Sequence, residues 1–287
     1  DHIHAEFAGH PATAAWVISR ATGLPYSVSC RAHDIFRTQR LLAQKLGEAA
    51  FVRTISEFGK RFLQERVPSV PASRYQVIHS SVDPASIPAL DPPATDPFHI
   101  VYVGSLEAKK GVGILLRALK DLPFDKWHCS IGGGGPDRTG LEVQTNELGL
   151  SDKVRFLGPL DIAGVMDLYA GASVVVAPSI IGPGGRAEGI PNVMIEALAC
   201  QRPAISTAIS GIPELIETGR TGLLVEPGSP EQLAEAITQI HGDPAKAFEM
   251  AAAGRAKVEA EFSLPVNTRR QLDLFAQHSA NRPAEAA

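Results

Sequence analysis

The sequence has 287 residues, of which 44% are hydrophobic and 20% are charged, so it is long enough to bury the core of one large domain or two ordinary ones. Its 27 basic and 31 acidic residues are interspersed and give a formal net charge of -4, which argues against nucleic acid as a partner because there is no basic stripe. Cys30, Cys129 and Cys200 lie far apart in apolar stretches, which argues against a disulfide framework or thiolate metal site and favours a cytoplasmic location.

The chain opens at Asp1 rather than at a methionine, and its first five residues resemble the end of a strand whose beginning is missing. We therefore expect a sequence that is truncated at its front. The start lacks the basic and then apolar order of a signal peptide, and no later run approaches the ~20 apolar residues that a membrane-spanning helix needs. The sequence therefore predicts no membrane span.

From Pro25 onward, short runs of strand-forming residues alternate with segments of helical periodicity. This alternation is typical of parallel βαβ units with helices on both faces of a sheet, so the predicted fold class is α/β. The predicted strands cover residues 26–30, 51–55, 75–79, 100–103, 128–131, 154–157, 173–177, 204–207 and 222–225. Helices are expected to fill most of the gaps between them.

Histidines stand out in the first part of the chain. His33 lies in the segment 31–34 after a predicted strand that ends at Cys30. A histidine there can donate to a phosphate or a sugar hydroxyl, although a ring fixed by a backbone carbonyl is the more common case. His2, His4, Glu6 and His10 are close in sequence and could be metal ligands. No later set of histidines and aspartates accompanies them, so we expect no metal site.

The segment 37–61 has basic and apolar residues at helical spacing. Such a pattern fits a helix that lies on a membrane surface, and it fits equally well a helix packed on a core with a solvated outer face. Peripheral membrane contact, at the inner face of a plasma membrane, therefore stays open from the sequence.

A proline-rich stretch at residues 83–97 divides the predicted strands into two series, because prolines at this density prevent regular structure. We place a linker at residues 86–96. The second series, residues 97–262, contains six predicted strands and looks like a complete Rossmann-like domain. The first, residues 1–85, contains three, about half of such a domain. A helix is expected at residues 263–277, followed by a disordered tail at 278–287.

In open parallel sheets ligands bind beyond the carboxyl ends of the strands, so the residues that follow each strand are the candidates for a site. Gly104 and Ser105 follow one strand, and Lys109 and Lys110 precede a helix that starts near Gly111. Two cations at a helix N-terminus oppose its dipole unless an anion binds there. A bound phosphate and two lysines extended into solvent are equally compatible with this pattern.

Four consecutive glycines, residues 132–135, follow another predicted strand. They do not match the G-x-G-x-x-G spacing of dinucleotide sites, because Asp137 and Arg138 occupy the places where the third glycine would fall, and no Lys-Ser or Lys-Thr follows as in a phosphate loop. A tight turn is the favoured interpretation, and an NAD or ATP site of the usual kind is not expected.

A glycine-rich loop at residues 182–189 leads into a helix that is predicted to begin near Asn192, an acceptable N-cap. The loop carries Glu188, and Glu196 lies one turn into the helix on the side of the crevice. Free amides at the helix start suit an anionic or hydroxyl-rich ligand. Two carboxylates on either side of one turn suggest a pocket more strongly than either does alone.

Together these residues resemble a large family of retaining glycosyltransferases of the GT-B fold, known as family 4 or glycosyl transferases group 1. Its mark is two glutamates separated by seven residues, as in Glu-Gly-Ile-Pro-Asn-Val-Met-Ile-Glu from Glu188 to Glu196. The Glu-Gly-Ile-Pro-Asn form further resembles enzymes of exopolysaccharide and colanic-acid-type assembly. Supporting matches occur in family order at residues 54–57, 77–79, 82–84, 157–158, 177–179, 196–199, 211–214 and 221–225.

The resemblance implies two Rossmann-like domains, an acceptor-side one that is incomplete in this chain and a complete one that binds a nucleotide sugar. It also implies that the 263–277 helix packs back on the first domain. Glu196 is then expected to bind the donor's ribose hydroxyls, and Lys110 to neutralise the diphosphate. Glu188 and His33 are expected near the reacting sugar.

The remaining donor contacts that the resemblance implies come from two loops. The loop after the predicted 100–103 strand contributes Gly104, Ser105 and Lys109. The start of the helix near Asn192 contributes Gly189, Ile190, Pro191 and Asn192. The family usually has an arginine at the position of Ser105. The serine cannot make the bidentate charged contact to the leaving group that an arginine would make. Lys109 could compensate as a point charge. The missing front, which carries a glycine-rich loop and most acceptor contacts in the family, is the second departure.

The predicted function is transfer of a hexosyl group from a nucleoside diphosphate sugar to a hydroxyl of a glycan or lipid-linked acceptor, with retention, in cell-surface polysaccharide biosynthesis. No cofactor is expected besides the donor substrate. Two alternatives stay open. A nucleotide-sugar epimerase of the same fold would act on the donor alone, and an inactive remnant would bind the donor without transferring the sugar.

Overall fold

A computed structural model describes residues 1–36, 40–93, 95–182 and 188–279 of the chain. The chain forms two compact units, one comprising Asp1–Ser80 together with the residues from Leu264 onward, and the other comprising Ser81–Ser263. The strands are β1 (Ile3–Glu6), β2 (Tyr26–Cys30), β3 (Val52–Thr54), β4 (Tyr75–Val77), β5 (Phe98–Val103), β6 (Trp127–Gly132), β7 (Val154–Gly158), β8 (Val174–Ala177), β9 (Ala204–Thr207) and β10 (Leu223–Val225). The helices are α1 (His10–Thr22), α2 (His33–Phe36), α3 (Leu42–Gly47), α4 (Glu57–Arg66), α5 (Val112–Lys120), α6 (Arg138–Glu147), α7 (Ile162–Gly171), α8 (Asn192–Ala199), α9 (Ile212–Leu215), α10 (Pro230–Gly242), α11 (Pro244–Glu261) and α12 (Leu264–His278).

In the first unit, the described strands form a parallel four-stranded sheet in the order β1-β2-β3-β4. The count of three strands for this part was therefore too low, because Ile3–Glu6 form a fourth described strand, β1. Its polar side chains conceal it from a hydrophobic pattern. The imidazoles of His2 and His4 instead hydrogen-bond the hydroxyls of Ser27 and Ser29 on β2, at 2.7 to 2.9 Å.

The segment 37–61 is not one amphipathic helix, since strand β3 separates α3 from α4. Leu46 and Leu63 on these two helices are fully buried, as expected for helices packed on a core. Ser56 caps α4 by accepting a hydrogen bond from the Gly59 amide at 3.0 Å. Among the described residues no helix is both long enough and apolar enough to cross a membrane.

In the second unit, the described strands form a parallel six-stranded sheet in the order β10-β9-β8-β5-β6-β7. The predicted strands of the second series correspond to these six. Alternate residues of β5 enter different hydrophobic clusters, Ile100 and Tyr102 one of them and Val101 the other, so both faces of the sheet are covered. The chain reverses its direction of winding between β5 and β8, which makes the carboxyl ends of these two strands the switch point of the sheet.

The proline-rich stretch, in its described residues, contains no helix or strand before β5, and it groups with the second unit. The amide of Val82 donates to the carbonyl of Phe262, and that of Leu90 donates to the carbonyl of Cys200. Helix α12 groups with the first unit, where the Phe275 ring packs against His2, His4 and Phe51. Within the predicted disordered tail, residues 280–287 lie outside the described part of the chain.

Candidate functional site

A turn carrying Lys109 and Lys110 follows strand β5. It is one turn of 3-10 helix, Ala108–Lys110, and Gly111, with a φ of 70°, is the N-cap of α5. A Cβ at Gly111 would lie 1.9 Å from the carbonyl oxygen of Pro178, in the loop after β8. The amide of Ile180 in that loop donates to the Lys109 carbonyl at 2.8 Å. Backbone packing at the switch point therefore fixes where the two lysines stand.

Both lysine ammonium groups bind the carboxylate of Glu188. The Lys109 Nζ lies 2.9 Å from Oε1, and the Lys110 Nζ lies 2.9 Å from Oε2. The carboxylate is only 11% exposed, and the lysine side chains are 28% and 18% exposed. An anion does offset the two cations at the helix start, and it comes from the protein itself.

The electrostatics of Glu188 reflect two opposing effects. Burial raises the pKa of its carboxyl, but the charge of Lys110 and the hydrogen bonds from both lysines lower it by more, so the net pKa lies below the usual value. Glu188 is therefore held as a carboxylate. Residues 183–187 of the glycine-rich loop that precedes it lie outside the described part of the chain.

Glu196 has a different partner. Helix α8 begins at Asn192, but Pro191 is the N-cap and makes no side-chain capping bond, so the prediction of Asn192 as the cap was wrong by one position. Glu196 accepts a hydrogen bond from the buried Tyr169 hydroxyl at 3.3 Å. Burial raises the pKa of Glu196, and the Tyr169 hydrogen bond opposes this only in part.

The variant Tyr169→Phe tests the hydrogen bond from the tyrosine hydroxyl to Glu196. The hydroxyl also donates to the Val193 carbonyl at 3.2 Å, so its loss leaves two acceptors without this donor. We expect the free energy of unfolding to fall by about 1 kcal/mol and the pKa of Glu196 to rise further. Thermal unfolding and an NMR titration of the Glu196 carboxyl measure the two effects. Tyr75→Phe in the first unit is the control, and an unchanged Glu196 pKa would contradict the assignment.

A cavity of about 530 Å³ opens at the carboxyl ends of β5, β6 and β7. Gly104 and Ser105, predicted as donor contacts, belong to its wall, and it shares the loop after β5 with the lysine turn. None of the described lining residues carries a charge, so backbone groups and apolar side chains form most of the wall. The lining residues are 103–105, 132–135, Pro159, Leu160 and Val165.

The glycine run builds one side of this cavity through backbone packing. The Gly104 amide donates to the Gly132 carbonyl, and the Leu106 amide donates to the Gly134 carbonyl, each at 2.9 Å. A Cβ at Gly133, where φ is 138°, would lie 1.8 Å from the Gly104 carbonyl oxygen. The turn lies at the end of this run, where the Arg138 amide donates to the Gly135 carbonyl at 3.3 Å, and Gly133 must be a glycine because two backbone segments touch there.

In the first unit, His33 begins helix α2 three residues after the end of β2, and its side chain lies outside the described part of the chain. The neighbouring Asp34 accepts hydrogen bonds from the amides of Ala8 and Arg31, at 2.8 and 3.0 Å. Glu6 ends β1, and a hydrogen bond from His4 lowers its pKa to about 2 although burial opposes this. Among the described residues, no group of three histidine, cysteine, aspartate or glutamate side chains could hold a metal ion.

The structure thus brings Glu188, Lys109 and Lys110 together, whereas Glu196 is held separately by Tyr169. Sequence reasoning missed Tyr169 and the apolar wall formed by Pro159, Leu160 and Val165. The wall could have been found, because the same rule of inspecting the end of each strand applies to β7. Tyr169 carries no such signal, since a tyrosine in a helix usually packs in a core.

Comparison with known proteins identifies the family. A family model described as glycosyl transferases group 1 matches residues 88–257, more than half of the chain. The chain belongs to this family. The match covers the lysine turn, the cavity wall, Glu188 and Glu196.

The chain is also similar to curated glycosyltransferases. AmsK of Erwinia amylovora, an amylovoran biosynthesis glycosyltransferase, is 28% identical over 71% of the chain and 51% of its own length. WcaL of Escherichia coli K12, named for colanic acid biosynthesis, is 31% identical over 72% of the chain and 50% of its own length. The chain thus spans about half the length of these relatives.

Solved structures share the fold. HepE of Anabaena, crystallised with UDP, matches 96% of the chain and 79% of its own length with a TM-score of 0.84 and 22% identity. A sucrose-phosphate synthase from Thermosynechococcus elongatus matches 96% of the chain and 73% of its own with a TM-score of 0.81 and 24% identity. The chain has the expected GT-B fold of two Rossmann-like units with parallel sheets.

Proposed function

We propose that the protein is a retaining glycosyltransferase that moves a sugar from a nucleoside diphosphate sugar to a hydroxyl of a glycan or lipid-linked acceptor, in cell-surface polysaccharide biosynthesis. The observation that carries the proposal is the lysine pair, Lys109 and Lys110, which binds both oxygens of one anion at the switch point of a parallel sheet. A diphosphate offers the same kind of oxygens. The relatives AmsK and WcaL, both named for polysaccharide biosynthesis, support the pathway.

The nucleoside would occupy the neighbouring cavity. Its wall of glycine backbone and apolar side chains suits an uncharged, planar base, and the UDP in the HepE crystal supports a nucleotide at a site of this fold. Glu196, held as an acceptor by Tyr169, would bind the ribose hydroxyls. The amides at the start of α8, with Gly189 and Ile190, would face the phosphates.

The chemical step needs little beyond electrostatics. As the glycosyl-oxygen bond breaks, negative charge develops on the leaving diphosphate, and Lys110 with Lys109 would stabilise it. The acceptor hydroxyl would attack the same face of the sugar and pass its proton to a leaving phosphate oxygen, which retains the anomeric configuration. His33 would contact the donor sugar, as the family resemblance implies. No metal or cofactor takes part in this scheme.

The replacement of the family's arginine by Ser105 fits this arrangement. Ser105 lies at the cavity wall, and its carbonyl accepts a hydrogen bond from the Tyr102 hydroxyl at 2.8 Å. The second cation comes from Lys109 instead, since its ammonium group binds the same carboxylate as that of Lys110. The leaving group would thus meet two positive charges without the arginine.

A donor and acceptor screen tests the proposal. Calorimetry with UDP, GDP and ADP measures binding of the product nucleotides, and release of nucleoside diphosphate from the matching sugar donors is measured with and without glycoside acceptors. We expect one base to bind and release to require an acceptor. Donor conversion without acceptor would indicate an epimerase, and binding without transfer to any acceptor would indicate a non-catalytic donor-binding protein.

A further inference from the structure

Glu188 occupies the cations that the proposed function assigns to the diphosphate. Each of its carboxylate oxygens accepts from a different ammonium group, at 2.9 Å in both cases. A phosphate group would present two oxygens to the same pair of donors. The carboxylate and a phosphate therefore cannot both hold the two lysines in this way at once.

We propose that Glu188 is an internal competitor of the diphosphate, which holds the lysine pair in the ligand-free protein and is displaced when the donor binds. The proposal rests on the proposed function, because it takes the lysine pair as the diphosphate site. The contact between Glu188 and the lysine pair would thus inhibit binding of the donor. Its displacement would also free the carboxylate to face the donor sugar, the role that the family resemblance implies for it.

The burial of the cluster makes the competition effective. Surface ion pairs contribute little because water screens them, but the Glu188 carboxylate is only 11% exposed and touches two ammonium groups. A ligand whose site is occupied for most of the time binds with an affinity reduced by the fraction of open sites. If the lysine pair is open about a tenth of the time or less, removing the carboxylate charge strengthens anion binding at least tenfold.

The same contact would act at the end of the reaction. After transfer, the nucleoside diphosphate remains on the lysine pair, and the return of Glu188 to these cations competes with it. Product release limits turnover in many enzymes. Glu188 would thereby weaken product inhibition, and donor binding would be weaker as well.

Glu188→Gln tests the competition, with UDP and inorganic pyrophosphate as the probes. Glutamine keeps the size of the side chain and removes its charge. We expect both probes to bind at least tenfold more tightly to the variant in calorimetry. Pyrophosphate has no sugar or base through which Glu188 could act, so an increase in its affinity reports on the lysine pair alone. Unchanged or weaker binding of both probes would overturn the proposal.

Glu107→Gln is the matched control for a general change in charge. Glu107 precedes the lysines in the same loop, and the described ion pairs join its carboxylate to neither of them. We expect its probe affinities to change less than twofold. An equal gain in both variants would show that only the local field matters, and the competition would be rejected.

Two further measurements separate failure of this inference from failure of the proposed function. If Lys110→Ala weakens UDP binding while Glu188→Gln does not strengthen it, only the competition fails. If Lys110→Ala leaves UDP binding unchanged, the phosphate site itself is wrong. In the unmodified protein, saturating pyrophosphate should raise the pKa of Glu188 in an NMR titration, because the carboxyl loses its cations. A constant pKa in bound protein would contradict displacement even if the glutamine variant failed to fold.

Discussion

Lys110→Ala is expected to lower turnover by about 10² to 10³-fold, the usual effect of removing one preorganised group that stabilises developing negative charge. In the ligand-free protein Lys110 binds one oxygen of Glu188, and in the reaction it would bind the leaving diphosphate. Alanine removes the charge from a side chain that is only 18% exposed, where water replaces it poorly. The effect should fall mainly on kcat, because charge develops most in the transition state.

Release of nucleoside diphosphate under saturating donor and acceptor gives kcat for the variant. Lys126→Ala is the matched control, since it removes the same charge from an exposed lysine whose partner is Asp96. Thermal unfolding should show both variants folded. Turnover of Lys110→Ala within about threefold of the unmodified protein would remove Lys110 from the role of leaving-group cation.

The fold was predictable because the central strands of the second unit are buried on both faces. Such strands appear as continuous apolar runs, and the predicted 173–177 strand contains the Val-Val-Val-Ala run of β8. Strand β1 lacks this signal, because it carries the polar side chains of His4 and Glu6 and depends on pairing with β2. Whether such a segment forms a strand depends on its pairing with a neighbouring strand, which a local sequence pattern cannot show.

The sequence predicted the position of the candidate site better than it predicted which of its side chains contact one another. The rule that ligands lie beyond strand ends led to Lys109, Lys110 and Glu188, which follow β5 and β8, the two strands of the switch point. The sequence could not show that the glutamate binds both lysines, because 78 residues separate it from Lys110. Contacts across such a separation depend on strand order, which the sequence pattern alone does not fix.

We expect a second large effect from a substitution in the turn that carries the lysines. It should lower both the stability of the protein and its affinity for UDP. Gly111→Ala should lower the free energy of unfolding by about 3 to 5 kcal/mol, among the largest effects of single substitutions. The Gly111 backbone has a φ of 70°, which L-residues other than glycine adopt at a cost of about 1–2 kcal/mol. The new Cβ would in addition lie 1.9 Å from the Pro178 carbonyl oxygen, a backbone atom that cannot rotate away.

Gly140→Ala provides the opposite control. Gly140 lies within α6, and no atom outside its own helix turn lies within 4 Å of the position that an alanine Cβ would take, so alanine there should stabilise the protein by about 0.5–1 kcal/mol. Thermal or urea unfolding measures both variants. Below its unfolding temperature, Gly111→Ala should also lose UDP affinity, because relief of the clash moves the loop after β8 away from the lysine turn. A Gly111→Ala protein with unchanged stability and UDP binding would show that the close approach of the two loops does not position the lysines, and the site would have to be rebuilt from other contacts.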